Sequence, residues 1–247
     1  DLGRRIRQAF IAEKGNVLLS ADYSQIELRV AAHLSGDKAM IDAFCSGEDF
    51  HTITAALIFN KDKADVTKAL RRSAKTINFG VLYGMGSNAL AQQTGMNRME
   101  AKEFIQRYFT VYKRLKEYLD ELKTMAREKG YVETLWGRRR YVPDIVSGMP
   151  QVRAEAERAA TNHPIQGTAA DLMKLAMIEV DGLIQSGKIA ADMLIQVHDE
   201  LVFEVTAGHA ASVAKAVRER MEKIEKLQVP ILVDVEVGEN WGELKPL

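Results

Sequence analysis

The chain has 247 residues, 47% of them hydrophobic and 28% charged, which is ordinary for a soluble globular protein of one large domain or two intimate subdomains. Lysine plus arginine and aspartate plus glutamate both number 34, so the net charge of zero gives no indication of nucleic-acid binding. No apolar run reaches the roughly 18 residues of a membrane helix, and the single cysteine, Cys45, excludes an internal disulfide. We therefore expect a cytoplasmic protein with no membrane partner.

The first half of the chain is predicted to begin with a strand and to continue as helices. Residues 17–21 form a short apolar run that ends at Asp22, which is typical of a buried strand. Apolar residues at helical spacing predict a helix over residues 25–34. Nearly all of residues 38–129 has helical character, including predicted helices at residues 68–82 and 98–129.

The second half is predicted to return to strands near its end. The predicted elements are a hairpin over residues 131–142, a helix over 151–184 with a break or kink at Pro164, a strand pair over 193–205, a helix over 207–227 and a strand over 230–237. Strands thus lie at both ends of the chain with helices between them, without βαβ alternation. This pattern predicts an α+β fold in which a helical insertion interrupts a sheet with flanking helices.

The predicted strand pair has three titratable residues at its turn, His198, Asp199 and Glu200. A tight turn would carry these acids to the rim of the sheet, although aspartate is also common in solvated turns. Asp22 likewise ends an apolar strand, so neighbouring strands would bring Asp22 and Asp199 to one edge. Two adjacent carboxylates repel each other unless a proton or a cation intervenes, and oxygen ligands suit Mg²⁺. No Cys/His spacing favours zinc.

The predicted helix at residues 68–82 carries cations and aromatic rings at a spacing of four: Arg71, Lys75, Phe79 and Tyr83. At 3.6 residues per turn these side chains form a slowly winding stripe on one face. The cations could bind the phosphates of a nucleoside triphosphate, and the flat rings could lie near its sugar and base. The alternative is an ordinary amphipathic helix with solvated cations and aromatic residues in the core.

Four segments carry a resemblance to a known family: residues 22–29, 71–84, 157–171 and 196–200. The first, second and last are similar to motifs A, B and C of the family A DNA polymerases, and the bacterial DNA polymerase I branch is the most similar. The resemblance covers essentially the whole chain. It implies template-directed transfer of deoxynucleotides to a primer 3′-hydroxyl, with residues 1–36 and 151–247 as an antiparallel palm and residues 37–150 as helical fingers.

The resemblance also implies a metal site with two Mg²⁺ ions as cofactors. Asp22 and Asp199 would hold both ions, the backbone carbonyl of Tyr23 would add a ligand, and Glu200 would be a secondary acid. Lys75 and Arg71 would bind the triphosphate, with Lys75 as the proton donor to pyrophosphate. These roles make chemical sense because phosphoryl transfer needs mostly positioning and charge neutralisation.

Further substrate contacts are implied by the same resemblance. His51 matches another phosphate contact, and Gln25 also matches a substrate-binding position. Glu27 resembles a steric gate placed where a ribose 2′-hydroxyl would lie. Phe79 lacks a hydroxyl and should disfavour dideoxynucleotides, and Tyr83 would stack near the templating base.

The DNA contacts implied by the resemblance include three residues that again step by four, Arg158, Asn162 and Gln166, together with His198. The first three would face the minor groove of the primer–template, where correct base pairs offer acceptors at similar positions. A solvated helix face is the alternative reading of this spacing.

The family's thumb and any exonuclease domains are expected outside this chain, as partner portions of the same polymerase. Phosphate contacts dominate DNA affinity, so loss of a thumb should weaken duplex binding. Two other functions remain open at this point: a catalytically silent nucleic-acid-binding fragment, and a Mg²⁺-dependent nuclease. Intact Asp22, Asp199 and Lys75 argue against the first. The stripe on the basic helix argues against the second.

Overall fold

The structure, a computed structural model of the chain, describes residues 2–247 apart from the side chain of Arg4. The chain forms two compact units, of which the first combines Asp1–Ile26 with Ala169–Leu247 and the second is Glu27–Thr168. The helices are α1 Leu2–Gln8, α2 Ile26–Ser35, α3 Lys38–Cys45, α4 Phe50–Phe59, α5 Lys68–Leu82, α6 Ser87–Thr94, α7 Arg98–Val111, α8 Lys113–Lys129, α9 Pro150–Gln185 and α10 Ala210–Glu222. The strands are β1 Asn16–Tyr23, β2 Tyr131–Glu133, β3 Arg139–Tyr141, β4 Asp192–Val197, β5 Glu200–Thr206, β6 Val233–Gly238 and β7 Lys245–Pro246.

The first unit is built on a five-stranded sheet in the order β4-β5-β1-β6-β7, in which every neighbouring pair is antiparallel. Side chains alternate along the central strand β1, so Leu19, Ala21 and Tyr23 share one buried face. The Tyr23 hydroxyl donates a hydrogen bond to the Met221 carbonyl of α10 at 3.0 Å. This helix therefore covers one face of the sheet, and the residues of β1 between these three point to the other face.

The strands of the first unit follow the sequence pattern closely. The predicted strand at residues 17–21 is confirmed by β1, and the predicted strand pair is confirmed by β4 and β5. The helix predicted over residues 207–227 is shorter, since α10 ends at Glu222, and the last predicted strand begins three residues later, at Val233. Helix α1 and strand β7 were not predicted. These two elements are short and lack a clear apolar period, so pattern alone does not reveal them.

The second unit consists of helices and the small hairpin β2–β3. Large apolar and aromatic side chains fill its interior, and the fully buried ones include Phe50, Ile58, Ile77, Leu82, Tyr108 and Tyr112. Helix starts are fixed by side-chain caps: Asp49 accepts a hydrogen bond from the Thr52 N–H, and Thr67 accepts one from the Leu70 N–H. Helix α5 has the predicted bounds. The single helix predicted at residues 98–129 is wrong, because Tyr112 leaves helical geometry and separates α7 from α8.

Helix α9 runs through Pro164 without a break, so of the predicted break or kink only a kink stays a prediction. Proline removes one backbone hydrogen bond, but the neighbouring turns are held by the hairpin. The Thr168 hydroxyl accepts a hydrogen bond from the Leu135 N–H at 3.0 Å, and the Gly167 carbonyl accepts one from Arg138 at 3.0 Å. A Cβ on Gly167 would lie 2.6 Å from the Thr134 side chain, so the close approach requires glycine.

The α+β class, with an antiparallel sheet, flanking helices and a largely helical remainder, is confirmed. The two units divide the chain after Ile26 and after Thr168, whereas the predicted palm and fingers boundaries lie after residues 36 and 150. The assignment of palm and fingers stays a prediction. Among the described residues, no helix combines the length and apolar character needed to cross a bilayer.

Candidate active site

A row of three carboxylates crosses the sheet of the first unit. The antiparallel register places Asp22 on β1 directly opposite Glu200 on β5 and Asp234 on β6. Directly opposed residues in neighbouring antiparallel strands share a face, so these side chains lie side by side on the face away from α10. In the next row Ser20 lies opposite Glu236, which adds a fourth acid to the same surface. We call these four carboxylates the acidic row.

The acidic row perturbs the titration of Asp22. Burial raises the pKa of the Asp22 carboxyl from 3.8 to about 7, although solvent still reaches the side chain. Burial is the largest cause of this rise, and the negative charges of Asp199, Glu200, Asp234 and Glu236 also contribute to it. A carboxylate in this position carries its charge at neutral pH only at a cost. A divalent cation would remove that cost.

Asp199 lies beside Asp22 through the turn between β4 and β5. The turn has two residues, and His198 adopts a left-handed backbone conformation with φ 52°. The Asp199 carbonyl accepts a hydrogen bond from the Tyr23 N–H at 3.0 Å. Burial raises the pKa of the Asp199 carboxyl, and the Glu200 charge adds to the effect. The structure thus brings together Asp22, Tyr23, Asp199 and Glu200, all of which were predicted from the sequence.

Glu200 is held in place by two hydrogen bonds to one carboxylate oxygen. Its Oε1 accepts from the Ser20 hydroxyl at 2.6 Å and from the Trp241 indole N–H at 2.7 Å. The Trp241 ring in turn packs edge-on against Phe10. Sequence reasoning missed Trp241, Asp234 and Glu236. The alternation Val-Asp-Val-Glu-Val at residues 233–237 could have indicated an acidic strand face, but the sequence gives no signal for the Trp241 contact.

The acidic row opens onto a cavity of about 830 Å³, whose lining includes Ser20, Asp22, Glu200, Asp234 and Glu236. Within residues 2–247, no group of three or more His, Cys, Asp or Glu side chains is arranged to hold a metal ion by itself. Mg²⁺ needs only one or two carboxylates when waters and substrate phosphates complete its coordination. The raised pKa of Asp22 and the oxygen-only donor set therefore fit a Mg²⁺ site that forms together with a phosphate substrate.

The predicted stripe lies on α5 in the second unit. Arg71 and Lys75 are exposed, Phe79 is half-buried, and Tyr83 is half-buried directly after the last helical residue. The opposite face of α5 packs into the interior through its buried residues, which include Ala74, Ile77, Asn78, Val81 and Leu82. The four stripe residues therefore share the accessible side of the helix.

Arg71 is bound by a carboxylate that sequence reasoning did not identify. Its Nε and Nη2 donate to the two oxygens of Asp49 at 2.8 and 2.9 Å, a bidentate pair. Burial raises the pKa of the Asp49 carboxyl, but hydrogen bonds from Arg71 and Thr52 outweigh burial and hold the pKa at about 2. Arg71 is consequently oriented, and its charge is partly neutralised before any substrate arrives.

His51 lies on α4 and is only 2% exposed. Its ring contacts the Phe79 ring with centroids 5.8 Å apart, and its Nδ1 forms a 2.8 Å hydrogen bond with the Asn78 amide nitrogen. Burial is the main cause that lowers the pKa of His51 to about 4; the negative charge of Asp49 opposes this lowering, and the positive charges of Arg71 and Lys75 contribute to it. His51 is therefore neutral at physiological pH.

The remaining predicted substrate residues lie around the start of α2. Gln25, in the first unit, has a left-handed backbone with φ 53°, and its buried Oε1 has no hydrogen-bond partner among the described residues. Glu27, in the second unit, is half-buried in the first turn of α2. An acceptor without a partner at Gln25 is consistent with a contact to a ligand.

The residues predicted to contact DNA lie in both units. Arg158, Asn162 and Gln166 lie along one face of α9 in the second unit, exposed or half-buried. The Arg158 stem packs on Gly84, where a Cβ would lie 3.1 Å from Arg158 Cγ and where φ is +75°. His198 is exposed at the turn in the first unit.

Comparison with known proteins places the chain in a family. The model of DNA polymerase family A matches residues 1–243, and the chain belongs to this family. The predicted resemblance is thereby confirmed.

Two similar relatives are bacterial polymerases. The chain is 51% identical over 244 residues to the thermostable DNA polymerase I of Thermus filiformis, covering 99% of this chain and 29% of the relative. It is 48% identical to DNA polymerase I of Pseudomonas aeruginosa, covering 98% of this chain and 26% of the relative. A solved structure, the POL domain of Pol1 from M. smegmatis in complex with DNA primer-template and dNTP, matches with a TM-score of 0.92 and 44% identity, covering 98% of this chain and 43% of that chain. The chain therefore spans less than a third of the length of these curated relatives.

Proposed function

We propose that this chain is the catalytic portion of a DNA-directed DNA polymerase. It would add deoxynucleotides to a primer 3′-hydroxyl under the direction of a template and release pyrophosphate. The observation that carries the proposal is the acidic row beside Asp199, where burial and like charges raise the pKa of Asp22 in a member of the polymerase family. The solved relative with bound primer-template and dNTP supports the same partners for this chain.

Two Mg²⁺ ions are the proposed cofactors. The carboxylates of Asp22 and Asp199 and the Tyr23 carbonyl would hold them, and Glu200 would contribute negative charge from its fixed position. When bound, the ions supply charge neutralisation at the reacting phosphate and lower the pKa of the attacking hydroxyl.

The second unit would hold the triphosphate. Lys75 has no ion-pair partner among the described residues and is exposed, so it is available to bind phosphate and to donate a proton to pyrophosphate. Arg71, oriented by Asp49, would bind phosphate oxygens on its remaining donors. His51 would donate one hydrogen bond.

Selectivity and DNA binding are assigned to further residues. Glu27 would exclude a ribose 2′-hydroxyl, Gln25 would contact the nucleotide, and the Phe79 and Tyr83 rings would lie near the sugar and the templating base. The DNA contacts would come from Arg158, Asn162, Gln166 and His198. The first unit would then be the palm, and the second would be the fingers with the adjoining part of α9.

Primer extension tests the proposal. The chain would replace the matching region of the Thermus filiformis polymerase, and extension of a labelled primer would be followed with Mg²⁺ and all four deoxynucleotides. We expect template-directed extension by this chimera, abolished by Asp199→Asn and retained in Asp192→Asn, an exposed carboxylate on the same strand pair.

Two outcomes of this assay would contradict the proposal. A folded chimera that binds primer-template without extending it would indicate a silent binding module. Shortening of the primer without extension, lost in Asp199→Asn, would indicate a nuclease.

A further inference from the structure

A buried hydrogen-bond network lies behind the stripe on α5. The Asn78 amide nitrogen contacts His51 Nδ1 at 2.8 Å and the Thr54 hydroxyl at 3.3 Å. The Thr54 oxygen also lies 2.9 Å from the Tyr112 hydroxyl and 2.9 Å from the Phe50 carbonyl. All five residues are buried in the second unit, so the hydrogens of the Asn78 amide and of the Thr54 and Tyr112 hydroxyls need acceptors within the network.

Counting the hydrogens fixes the direction of each bond. Thr54 is the partner of the Tyr112 hydroxyl, so Tyr112 donates to Thr54. Thr54 has a single hydroxyl hydrogen and donates it to the Phe50 carbonyl. The Thr54 oxygen is then an acceptor toward Asn78, and an acceptor requires the amide NH₂ group on that side.

The opposite orientation of the Asn78 amide is less favourable. In the orientation described, the two N–H groups are used by His51 and Thr54, and only Oδ1 is left without a partner among the described residues. A flipped amide would instead bury two N–H donors where no acceptor is found. Unpaired buried N–H groups are rarer than under-used carbonyl oxygens, so the network selects the orientation with Nδ2 toward His51.

The orientation of Asn78 determines where His51 carries its proton. Because the Asn78 N–H donates to Nδ1, this nitrogen must be the unprotonated acceptor of a neutral imidazole, and the proton lies on Nε2. The described structure gives His51 a hydrogen-bond partner only at Nδ1. The Nε2–H is thus a donor not used by the fold.

We propose that Asn78 is a positioning residue that fixes His51 as the Nε2–H tautomer and so makes this imidazole a neutral, oriented hydrogen-bond donor to an oxygen of the incoming triphosphate. The contact with the triphosphate rests on the proposed function, whereas the assignment of the tautomer does not. The Phe50 and Phe79 rings, at 6.2 and 5.8 Å from the His51 ring, limit its rotation and support the same orientation.

A neutral donor suits a position beside two cations. Burial lowers the pKa of His51 to about 4 against the opposing charge of Asp49, and the charges of Arg71 and Lys75 act in the same direction as burial. Protonation of His51 would place a third positive charge next to these side chains. It would also make the Nδ1–H of His51 face the amide N–H of Asn78. Fixing the tautomer therefore provides a directional hydrogen bond without additional charge repulsion.

Nitrogen NMR of the histidine side chains tests the tautomer in the 247-residue chain. The chain has five histidines, and His51→Gln assigns the signal of His51. At pH 7 we expect an unprotonated Nδ1 and a protonated Nε2, and in Asn78→Asp we expect the reverse, because a carboxylate can only accept from Nδ1–H. A proton on Nδ1, an average of both tautomers or a charged ring in the unsubstituted chain would overturn the proposal.

Kinetics of the chimera test the triphosphate contact. We expect Asn78→Asp to raise KM for deoxynucleotides about tenfold, with a smaller change in kcat, from loss of a hydrogen bond to a charged group. Asn88→Asp, an exposed position on α6, is the matched control and should change neither. The Asn78→Asp substitution should add little to His51→Ala, because both remove one interaction. The role of Asn78 would be overturned if the losses from Asn78→Asp and His51→Ala were additive. It would also be overturned if Asn78→Asp reversed the tautomer but left KM unchanged.

Failure of the proposed function has a different signature. If the proposed function is wrong, the unsubstituted chimera does not extend the primer. The NMR test of the tautomer does not depend on that result. Melting curves of Asn78→Asp separate a local change from unfolding, and the measurement on the unsubstituted chain needs no variant at Asn78.

Discussion

The acidic row of the first unit and the stripe of the second unit handle charge in opposite ways. Around Asp22, every neighbouring charge that affects its titration is negative, and the pKa rises to about 7. On α5, Arg71 already has Asp49 as a bidentate partner, and the pKa of Asp49 falls to about 2. In the proposed function the first region would take up a cation from outside the chain, whereas the second would receive an anion on an arginine that is already oriented.

This difference shows why the two regions should respond differently to substitution. Removing the Asp22 charge relieves repulsion in the acidic row, so we expect it to damage function and not the fold. Removing the Asp49 charge from the second unit would instead break the contact that orients Arg71. Four predictions separate these consequences.

The largest effect is expected from Asp22→Asn. Loss of a metal-binding carboxylate should reduce extension by the chimera at least about 10³-fold, since metal ions contribute several kcal/mol of charge stabilisation and each 1.36 kcal/mol is a factor of ten. The melting temperature in EDTA should stay the same or rise, because the amide removes repulsion from the acidic row. Extension and melting curves are measured beside Asp192→Asn. Retained extension, or a strongly lowered melting temperature, would contradict the expectation that loss of the Asp22 charge damages function and not the fold.

Lys75→Ala should have the next largest effect. Loss of one electrostatic contact to the transferring phosphate costs about 10²–10³-fold in kcat/KM. Lys68→Ala, an exposed lysine at the start of the same helix, should have little effect. Single-nucleotide incorporation provides the measurement, and equal kinetics for the two variants would remove Lys75 from the triphosphate site.

Glu27→Ala should change sugar selectivity. If its side chain excludes a 2′-hydroxyl, shortening it should lower the preference for deoxynucleotides over ribonucleotides about 10- to 100-fold. Rates with dATP and ATP opposite the same template base give the ratio, and Glu103→Ala on α7 is the exposed control. An unchanged ratio would place the gate at another residue.

The smallest effect is a pH dependence of folding stability. Because the folded-state pKa of Asp22 is raised from 3.8 to about 7, the folded chain binds more protons than the unfolded chain between these values. The contribution of Asp22 is therefore greatest below pH 3.8 and is lost as the pH rises to about 7. Denaturant titrations in EDTA should show that slope, reduced in Asp22→Asn. A slope equal in both proteins would mean that the acidic row does not perturb Asp22.

Local patterns predicted the parts of the molecule that depend on neighbouring residues in the chain. The apolar run before Asp22, the two short runs around Asp199 and the spacing along α5 all appear as strands and a helix with nearly the expected bounds. Strand ends also predicted that Asp22 and Asp199 would meet at one edge if their strands were neighbours, and β1 does pair with β5.

Contacts between distant segments could not be predicted in the same way. Asp49 and Arg71 are 22 positions apart, His51 and Asn78 are 27 apart, and Glu200 and Trp241 are 41 apart. Each pair depends on how two elements pack, and neither residue carries a local signal for its partner. The place of Asp234 in the acidic row similarly depends on the register between β1 and β6.

Anomalous diffraction from Mn²⁺, used in place of Mg²⁺, tests the central claim most directly. Crystals of the chimera with primer-template, a deoxynucleotide and Mn²⁺ should show two anomalous peaks, with the carboxylates of Asp22 and Asp199 both in coordination contact with manganese. Bound substrates with manganese elsewhere, and with either carboxylate outside the coordination shell, would contradict the account.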